Sequence, residues 1–411
     1  MKIRSLLLLL LPLSLSAQIP APVIPDGVGV NIHFVTGHQR DLDLIAAAGV
    51  KFVRMDFSWT AIEKERGKYD WMEYDTLTAN LEKRGLRALY ILDYSHPLYE
   101  ETVEGKNPIN QQVQKTTASP QRQESVAAFA RWAAAAAKHF AGRKIVWEIW
   151  NEPNIQFWQP KPDVQQYIAL AQATCKAIRE ADPHATIVAP ATSGFPWEFL
   201  EACFKSGLLE QLDAVSVHPY RNPSKPPETA AADYAKLREL MDRHTSAARK
   251  GKIPILSGEW GYSSNTKGVS LETQAAFAAR QQLVNLMNGI PLSIWYDWKN
   301  DGDDPNEGEH NFGLVMPDLK PKPAYLALQT VTRELKGYHA ERQVALTNEE
   351  DFVLLLVNDA GERKVAAWTS GRPHTVNIPR ASGETLKIDL TGMPQYLVLS
   401  QSKPAAKPAA K

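Results

Sequence analysis

Cysteine is almost absent from this chain, which has only two cysteines in 411 residues. Two thiols cannot build a disulfide-stapled scaffold, so the fold must depend on an ordinary apolar core, for which 44% hydrophobic residues is sufficient. Both cysteines, Cys175 and Cys203, lie in helical patterns. They could form a single bridge or remain as two buried thiols.

An excess of charge of either sign is also missing, since 46 basic and 46 acidic side chains cancel. This balance gives no indication of nucleic acid, an anionic membrane or a strongly charged substrate as partner. A neutral ligand fits it best. The 11 tryptophans could pack in the core, or they could offer flat faces to the apolar faces of sugar rings.

Long apolar runs are lacking, apart from a short one near the N-terminus. Lys2 and Arg4 precede the run over residues 6–13, and the small residues Ser16 and Ala17 follow it. This pattern is typical of an export signal, so residues 1–17 are predicted to be a signal peptide and the mature protein to be secreted or periplasmic. The run is too short to span a bilayer, and no other segment approaches the roughly 20 apolar residues that a membrane helix needs.

From residue 28 to about residue 337, strand-like apolar runs alternate with amphipathic helical stretches such as Gln123 to Phe140. Strict alternation implies parallel strands, and eight strands that close on themselves form a (β/α)8 TIM barrel, predicted over residues 18–337. An open doubly wound sheet is the alternative, but no G-x-G-x-x-G turn follows the first strand. The predicted strands are Val28 to Phe34, Lys51 to Phe57, Arg87 to Tyr94, Ile145 to Glu152, Thr186 to Thr192, Ala214 to Tyr220, Pro254 to Tyr262 and Pro291 to Trp298.

After Gly337 the pattern changes to short strands separated by Gly, Asn and Pro turns, which predicts a small β-sandwich domain over residues 338–400. We expect this domain to be structural. The predicted strands are Phe352 to Val357, Lys364 to Trp368, Thr375 to Ile378 and Tyr396 to Leu399. Residues 401–411 contain only Lys, Pro, Ala, Gln and Ser and are predicted to be a disordered tail.

Two strand ends carry the carboxylates of interest. Strand four ends in WEIWNEPN over residues 147–154, in which Glu152 lies at the C-terminal end of the barrel and Glu148 lies deeper. Strand seven ends in ILSGEWGY over residues 255–262, and Gly258 and Gly261 beside Glu259 would let the backbone approach a ligand. Two such carboxyl groups about 5 Å apart are what hydrolysis of a glycosidic bond with retention requires.

The run WNEPN over residues 150–154, together with GEWG over residues 258–261, resembles clan A glycoside hydrolases. It looks most similar to family 39 and family 5 enzymes, including bacterial glycosidases that act on extracellular matrix polysaccharides. The resemblance implies Glu152 as acid/base, Glu259 as nucleophile and Asn151 as a hydrogen-bond partner of the sugar 2-hydroxyl. The expected activity is retaining hydrolysis of a β-linked poly- or oligosaccharide, without a cofactor.

Further residues match the clan on strands two and six. Arg54 is similar to the arginine that holds the nucleophile, although it could instead pair with a structural carboxylate. His218 and Tyr220 match the His-x-Tyr of family 5, whose phenol hydrogen-bonds the nucleophile. A core histidine and an interfacial tyrosine are the alternatives.

Five more residues at strand ends are candidates for sugar binding. Trp295 on strand eight looks like the aromatic platform under the sugar, and Trp298 competes with it because Trp298 lies nearer the strand end. His33 and His96, with Asp93, could bind hydroxyl groups from the ends of strands one and three, or could make local structural contacts.

The acidic stretch over residues 301–310 lacks the register of a calcium-binding loop, so it is predicted to be a mobile loop over the cleft and no metal is expected. Two alternative functions remain open. The same carboxylate pair would serve a transglycosidase, and a non-catalytic carbohydrate-binding barrel would share the fold. Sugar identity depends on the loops over residues 97–120 and 300–311.

Overall fold

The structure is a computed structural model that describes residues 19–379 and 385–399. The predicted signal peptide and the predicted C-terminal tail lie outside the described residues.

Eight parallel strands close into a barrel, so the TIM-barrel prediction is confirmed. Neighbouring strands follow the chain order all the way round, and β8 pairs with β1 through Val28 and Ser293. The strands are β1 (Val28–Asn31), β2 (Phe52–Ser58), β3 (Arg87–Asp93), β4 (Val146–Ile149), β5 (Thr186–Ser193), β6 (Ala214–His218), β7 (Ile255–Trp260) and β8 (Ser293–Trp295).

A helix follows each barrel strand and covers it from outside. Two of these helices have side-chain caps: Asp163 accepts hydrogen bonds from the backbone N–H groups of Gln165 and Gln166, and Ser270 accepts one from Thr273. The helices are α1 (Gln39–Ala47), α2 (Met72–Glu82), α3 (Gln123–His139), α4 (Val164–Ala181), α5 (Trp197–Lys205), α6 (Ala230–His244), α7 (Leu271–Met287) and α8 (Pro323–Glu334).

Side-chain alternation along the strands sorts the barrel residues into an inner and an outer layer. The inner layer fills the lower part of the barrel with aliphatic and aromatic side chains, and the polar inward positions Arg54, Glu148 and Ser216 lie above it, towards the C-terminal end of the strands. This end is called the mouth below. The inner layer consists of Phe52, Leu89, Ile91, Val146, Val188, Ala214, Leu256, Leu292 and Ile294.

Six strands end earlier than predicted at the mouth, and three of them end three residues early: β1 stops at Asn31, β4 at Ile149 and β8 at Trp295. Beyond β4 the backbone enters the left-handed region, with φ of 68° at Trp150 and 45° at Glu152. This breaks the alternation. Trp150 turns outward against Phe129 and Trp158, whereas the next residues face the mouth.

The C-terminal region forms two packed antiparallel sheets, as a β-sandwich requires, so that prediction is confirmed. Strands Tyr338–Gln343 and Thr385–Leu390 were not predicted. The larger sheet runs Tyr338–Gln343, Asp351–Asn358, Arg363–Thr369, Gln395–Leu399, and the smaller one pairs His374–Pro379 with Thr385–Leu390. Their shared core contains Val353, Val365, Ala367, Ile378, Ile388 and Leu390.

Cys175 and Cys203 are both buried and free, so the structure has two buried thiols rather than a bridge. Burial raises the pKa of the Cys175 thiol to about 12. Within residues 19–379 and 385–399, no helix is long and apolar enough to cross a membrane.

A buried ion pair joins the barrel to the sandwich. The Glu228 carboxylate, just before α6, accepts hydrogen bonds from Arg280 Nε at 2.8 Å and Nη2 at 2.6 Å on α7. It also accepts one from Trp368 Nε1 at 2.7 Å, on a strand of the sandwich. Because the carboxylate is buried, its removal leaves a desolvated guanidinium without its partner.

The variant Glu228→Ala is therefore expected to lower the free energy of unfolding by about 3–5 kcal/mol, the usual effect of removing one partner of a buried pair. Urea denaturation followed by circular dichroism measures this. Glu341→Ala is the control, because the Glu341–Arg363 pair lies on the surface of the sandwich, where ion pairs contribute little. Equal losses in the two variants would contradict the account.

Candidate active site

Arg54 on β2 is the centre of the polar network at the mouth. Its guanidinium is fully buried and donates to side-chain oxygens of four residues. Nε donates to Glu148 Oε1 at 2.8 Å, and Nη1 donates to Glu259 Oε2 at 2.5 Å and to Asn31 Oδ1 at 3.0 Å. Nη2 donates to Asn151 Oδ1 at 2.8 Å. One cation thus positions groups from β1, β4 and β7.

Glu148 lies below this network and is fully buried. It accepts from Arg54, and its second oxygen accepts from Ser216 Oγ at 2.6 Å. Burial alone would lower the pKa of Arg54, but the charges of Glu148 and Glu259 outweigh it and raise that pKa. The guanidinium is therefore permanently charged. Arg54 pairs both with a structural carboxylate and with the candidate nucleophile, so the two interpretations of Arg54 are both realised.

Glu259 ends β7 and is held in its ionised form. Its Oε1 accepts from Tyr220 Oη at 2.7 Å, and its Oε2 faces Arg54. Burial acts to raise the pKa of Glu259, but Arg54 above all, with the Tyr220 hydrogen bond, lowers it below its ordinary value. The pKa of Tyr220 is raised, chiefly by burial and then by Glu259, so the phenol stays a donor.

His218 connects the two candidate catalytic carboxylates. Its Nε2 lies 3.4 Å from Arg54 Nη2, and its Nδ1 lies 2.9 Å from Glu152 Oε1 and 3.9 Å from Glu259 Oε2. A guanidinium can only donate, so we assign Nε2 as the acceptor and Nδ1–H as the donor to Glu152. His218 is therefore a positioning group for Glu152.

The separation of the two carboxylates limits the chemistry that they can perform. Glu152, His218 and Glu259 each present a ligand-type atom within 4.8 Å of the other two. Inverting hydrolysis needs carboxyl groups about 6.5–9.5 Å apart, with a water between them, whereas direct attack by one carboxylate needs about 5–5.5 Å. The geometry fits direct attack.

Asn151 is fixed at both ends of its amide. Since Arg54 occupies the oxygen, the nitrogen must face the other way, where Nδ2 donates to Tyr94 Oη at 3.0 Å. An amide nitrogen has two hydrogens, so one remains available to a ligand hydroxyl.

The glycines beside Glu259 make room for protein rather than for a ligand. A Cβ on Gly258 would lie 2.2 Å from Ser216 Oγ and 3.1 Å from Glu148 Oε2, and one on Gly261 would lie 1.8 Å from the Tyr296 carbonyl oxygen. The expectation that they admit a ligand is wrong, because these neighbours occupy the space.

The prediction that Trp295 or Trp298 forms the platform under the sugar is wrong. Trp295 follows the inward residue Ile294, so its indole points outward, is fully buried and donates to the Phe312 carbonyl oxygen at 3.3 Å. Trp298 is buried between α1 and α8, where it donates to Asp41 Oδ1 of α1 at 3.0 Å and contacts Tyr325 of α8. Neither ring is open to a ligand.

Tyr296 takes the inward position instead. Its ring contacts His33, Tyr220 and Phe312, and its hydroxyl donates to Glu309 Oε2 at 2.8 Å. The sequence did indicate this position, because side chains alternate along a strand and Tyr296 follows the inward residues Leu292 and Ile294. The prediction of a tryptophan platform was based on residue type and not on this alternation.

The two histidines from the first and third strand ends differ. His96 is buried behind the mouth, where Nε2 donates to the Glu63 carbonyl oxygen at 2.7 Å and Nδ1 accepts from the Leu98 N–H, so its assignment to substrate binding is wrong. Burial lowers the pKa of His96. His33 does lie at the mouth, and 43% of its side chain is exposed.

Asp93 is fully buried beneath the mouth. Burial, and then the neighbouring charge of Asp56, raise its pKa well above the ordinary value.

The structure thus brings together most of the predicted site residues and separates three from them. Trp295, Trp298 and His96 lie elsewhere, while the roles of the others stay predictions. The residues assembled at the mouth are His33, Arg54, Asn151, Glu152, His218, Tyr220 and Glu259. Sequence reasoning missed Tyr94, Tyr296 and Glu309.

Comparison with known proteins assigns the chain to a family. The model of the family "Cellulase (glycosyl hydrolase family 5)" matches residues 25–302. A β-xylosidase of Caldicellulosiruptor saccharolyticus is 25% identical over 279 residues, which cover 61% of this chain and 52% of that protein. A β-xylosidase of Geobacillus stearothermophilus is 34% identical over 208 residues, covering 45% and 40%. The chain spans about half the length of these relatives or less.

Solved structures agree with this relationship. A family 39 glycoside hydrolase from the gut symbiont Bacteroides cellulosilyticus WH2 superposes with a TM-score of 0.76 at 25% identity, covering 92% of this chain and 81% of that one. A family 39 β-xylosidase from Caulobacter crescentus shares the fold, with a TM-score of 0.63 at 20% identity and coverage of 87% and 80%. The resemblance to clan A enzymes near families 39 and 5 is confirmed.

Removal of the Tyr220 hydroxyl is expected to raise the pKa of Glu259, because one of the groups that stabilise its charge is lost. Carbon-13 NMR of the Glu259 carboxyl in the Tyr220→Phe variant measures this, with Glu259→Gln identifying the signal. A folded-state pKa below the unfolded value stabilises the fold at higher pH, and that contribution disappears as the pH falls through the folded pKa. The acid limb of unfolding should therefore move to higher pH in the variant.

Tyr94→Phe is the matched control, because Tyr94 is a second phenol at the mouth that contacts Asn151 and not Glu259. An unchanged Glu259 titration in Tyr220→Phe, or an equal change in Tyr94→Phe, would contradict the assignment.

Proposed function

Because the chain belongs to the cellulase family, glycosyl hydrolase family 5, we propose that it is a retaining glycosidase with Glu259 as nucleophile and Glu152 as general acid/base. The observation that carries this proposal is the approach of the two carboxylates to within 4.8 Å at the mouth of the barrel. The network around Arg54 supports it, since it keeps Glu259 ionised and therefore nucleophilic.

In the first step, a Glu259 oxygen attacks the anomeric carbon and forms an ester. The bond from that carbon to the leaving oxygen breaks, and Glu152 gives its proton to this oxygen. The Tyr220 and Arg54 hydrogen bonds to Glu259 fix the direction of attack.

In the second step, Glu152 acts as a base. It takes a proton from a water molecule, whose oxygen attacks the anomeric carbon and releases the Glu259 carboxylate. The esterified Glu259 carries no charge, so the carboxylate on Glu152 is not opposed by a second negative charge. Two displacements at one carbon restore its configuration.

The surrounding groups suit a neutral sugar ring. The free amide hydrogen of Asn151 can donate to a hydroxyl group, and the partly exposed ring of Tyr296 offers an apolar face beside Glu259. We propose this ring as the aromatic contact that was first assigned to Trp295.

The proposed substrate is a β-linked poly- or oligosaccharide. The family is named for cellulase and two relatives are named β-xylosidases, so aryl β-xylosides and β-glucosides, with the matching polysaccharides, are the first substrates to test. We also propose that this activity lies outside the cytoplasm, because an export signal is expected over residues 1–17.

The two carboxylate variants are expected to fail in different ways on aryl glycosides. Glu259→Gln should lose turnover of every substrate, because neither step can occur. Glu152→Gln should lose about 10²–10⁴-fold with poor leaving groups, the usual contribution of acid–base catalysis, and much less with a good leaving group that needs no proton. Azide should rescue Glu152→Gln alone, since a small anion needs no general base, and should yield a β-glycosyl azide.

Glu101→Gln is the control, as it removes an exposed carboxylate of the same type. It should retain wild-type rates. Full turnover in Glu259→Gln, or azide rescue of that variant instead of Glu152→Gln, would overturn the assignment.

A further inference from the structure

A second group of potential ligand atoms lies beside the carboxylate pair. His33 follows β1, Asp297 follows β8, and Asp301 begins the loop over residues 300–311. Each presents one ligand-type atom, and these three atoms lie within 4.8 Å of one another. None of the three residues takes part in the proposed hydrolysis.

Asp297 is the under-satisfied member of this cluster. Its carboxylate is 99% buried, since its side chain is only 1% exposed. Its contact with His33 Nε2 is 3.4 Å, long for a hydrogen bond, and its Oδ1 has no hydrogen-bond partner in the part of the chain that the structure describes. A buried carboxylate without donors is costly. A cation bound beside Asp297 would supply the partner that this oxygen lacks.

The neighbouring lysines do not supply that ligand. Lys299 Nζ donates to Asp41 Oδ1 at 2.8 Å. Lys322 Nζ donates to Ser264 Oγ at 3.1 Å, to Asn300 Oδ1 at 3.3 Å and to the Asn311 carbonyl oxygen at 3.0 Å. Both amines are committed to other acceptors.

His33 presents its outer nitrogen to the cluster. Asn31 Nδ2 lies 3.5 Å from His33 Nε2, and the amide orientation is fixed because Asn31 Oδ1 accepts from Arg54. A donor facing Nε2 favours the neutral ring with its lone pair there, which is the form that binds metals.

A cavity of about 260 Å³ opens beside the cluster, with room for water molecules. All three residues of the cluster line it, together with Asn300 and His38.

We propose that His33 Nε2 and the carboxylates of Asp297 and Asp301 bind a divalent transition-metal ion of the Mn²⁺ or Zn²⁺ type, with water completing its coordination. One imidazole and two carboxylates suit these ions. The site departs from the expectation that no metal binds. It would join the acidic loop to the end of β1, next to Tyr296, which contacts both His33 and Glu309.

The test is calorimetric titration of the chelator-treated full chain with Mn²⁺ and, separately, with Zn²⁺. One site is expected in the wild type. Asp301→Asn and His33→Gln should each weaken binding by about 100-fold or more, since even partners outside the metal shell contribute 10–100-fold. A rise in Tm with the metal, absent from the two variants, is the second readout.

Two controls locate the ion. Asp303→Asn removes an exposed carboxylate of the same loop that is not in the cluster, and Glu152→Gln alters the other group of ligand-type atoms, Glu152, His218 and Glu259. Both should bind like the wild type. Absence of binding at millimolar metal, binding that survives His33→Gln, or binding lost only in Glu152→Gln would overturn the proposal.

Discussion

The charge of Arg54 is the constraint on which the rest of the mouth depends. A buried guanidinium must be surrounded by acceptors, and here these come from β1, β4 and β7. Glu148 neutralises it from below, so Glu259 can be held at the surface of the cleft and still remain ionised. The same cation orients Asn151 and sets the tautomer of His218, which in turn holds Glu152. A lysine, with one point charge, could not replace this planar fork.

The fold and the approach of Glu152 to Glu259 at the mouth could be predicted from the sequence because they depend on local signals. Strand and helix periodicities alternate along the chain, and Glu152 and Glu259 stand at the ends of apolar runs, where a barrel places its site whatever the detailed packing. The left-handed backbone at Trp150 and Glu152 could not be predicted. Neither residue is glycine, and only the assembled strand ends determine that conformation.

The outer ring of the site was harder to predict, since residue type and position gave opposite answers. Trp295 and Trp298 are of the residue type expected under a sugar ring, but their side chains face the helices. Tyr296 instead occupies the strand position that faces into the barrel. His96 ends a strand, yet its two nitrogens are consumed by backbone groups. The contacts of Asp297 and Glu309 depend on the loop over residues 300–311 lying beside β1 and β8, and no local pattern in the sequence predicts that position.

The central claim is that Glu259 forms a covalent bond to the sugar. Aryl 2-deoxy-2-fluoro-β-xylosides and β-glucosides slow both displacements but retain a good leaving group, so they allow the ester to accumulate. Mass spectrometry of the intact protein and then of its peptides measures where the sugar is attached. The account predicts one sugar per chain on Glu259. A sugar on Glu148, Glu152 or Glu309, or hydrolysis of the parent glycoside with inversion, would contradict it.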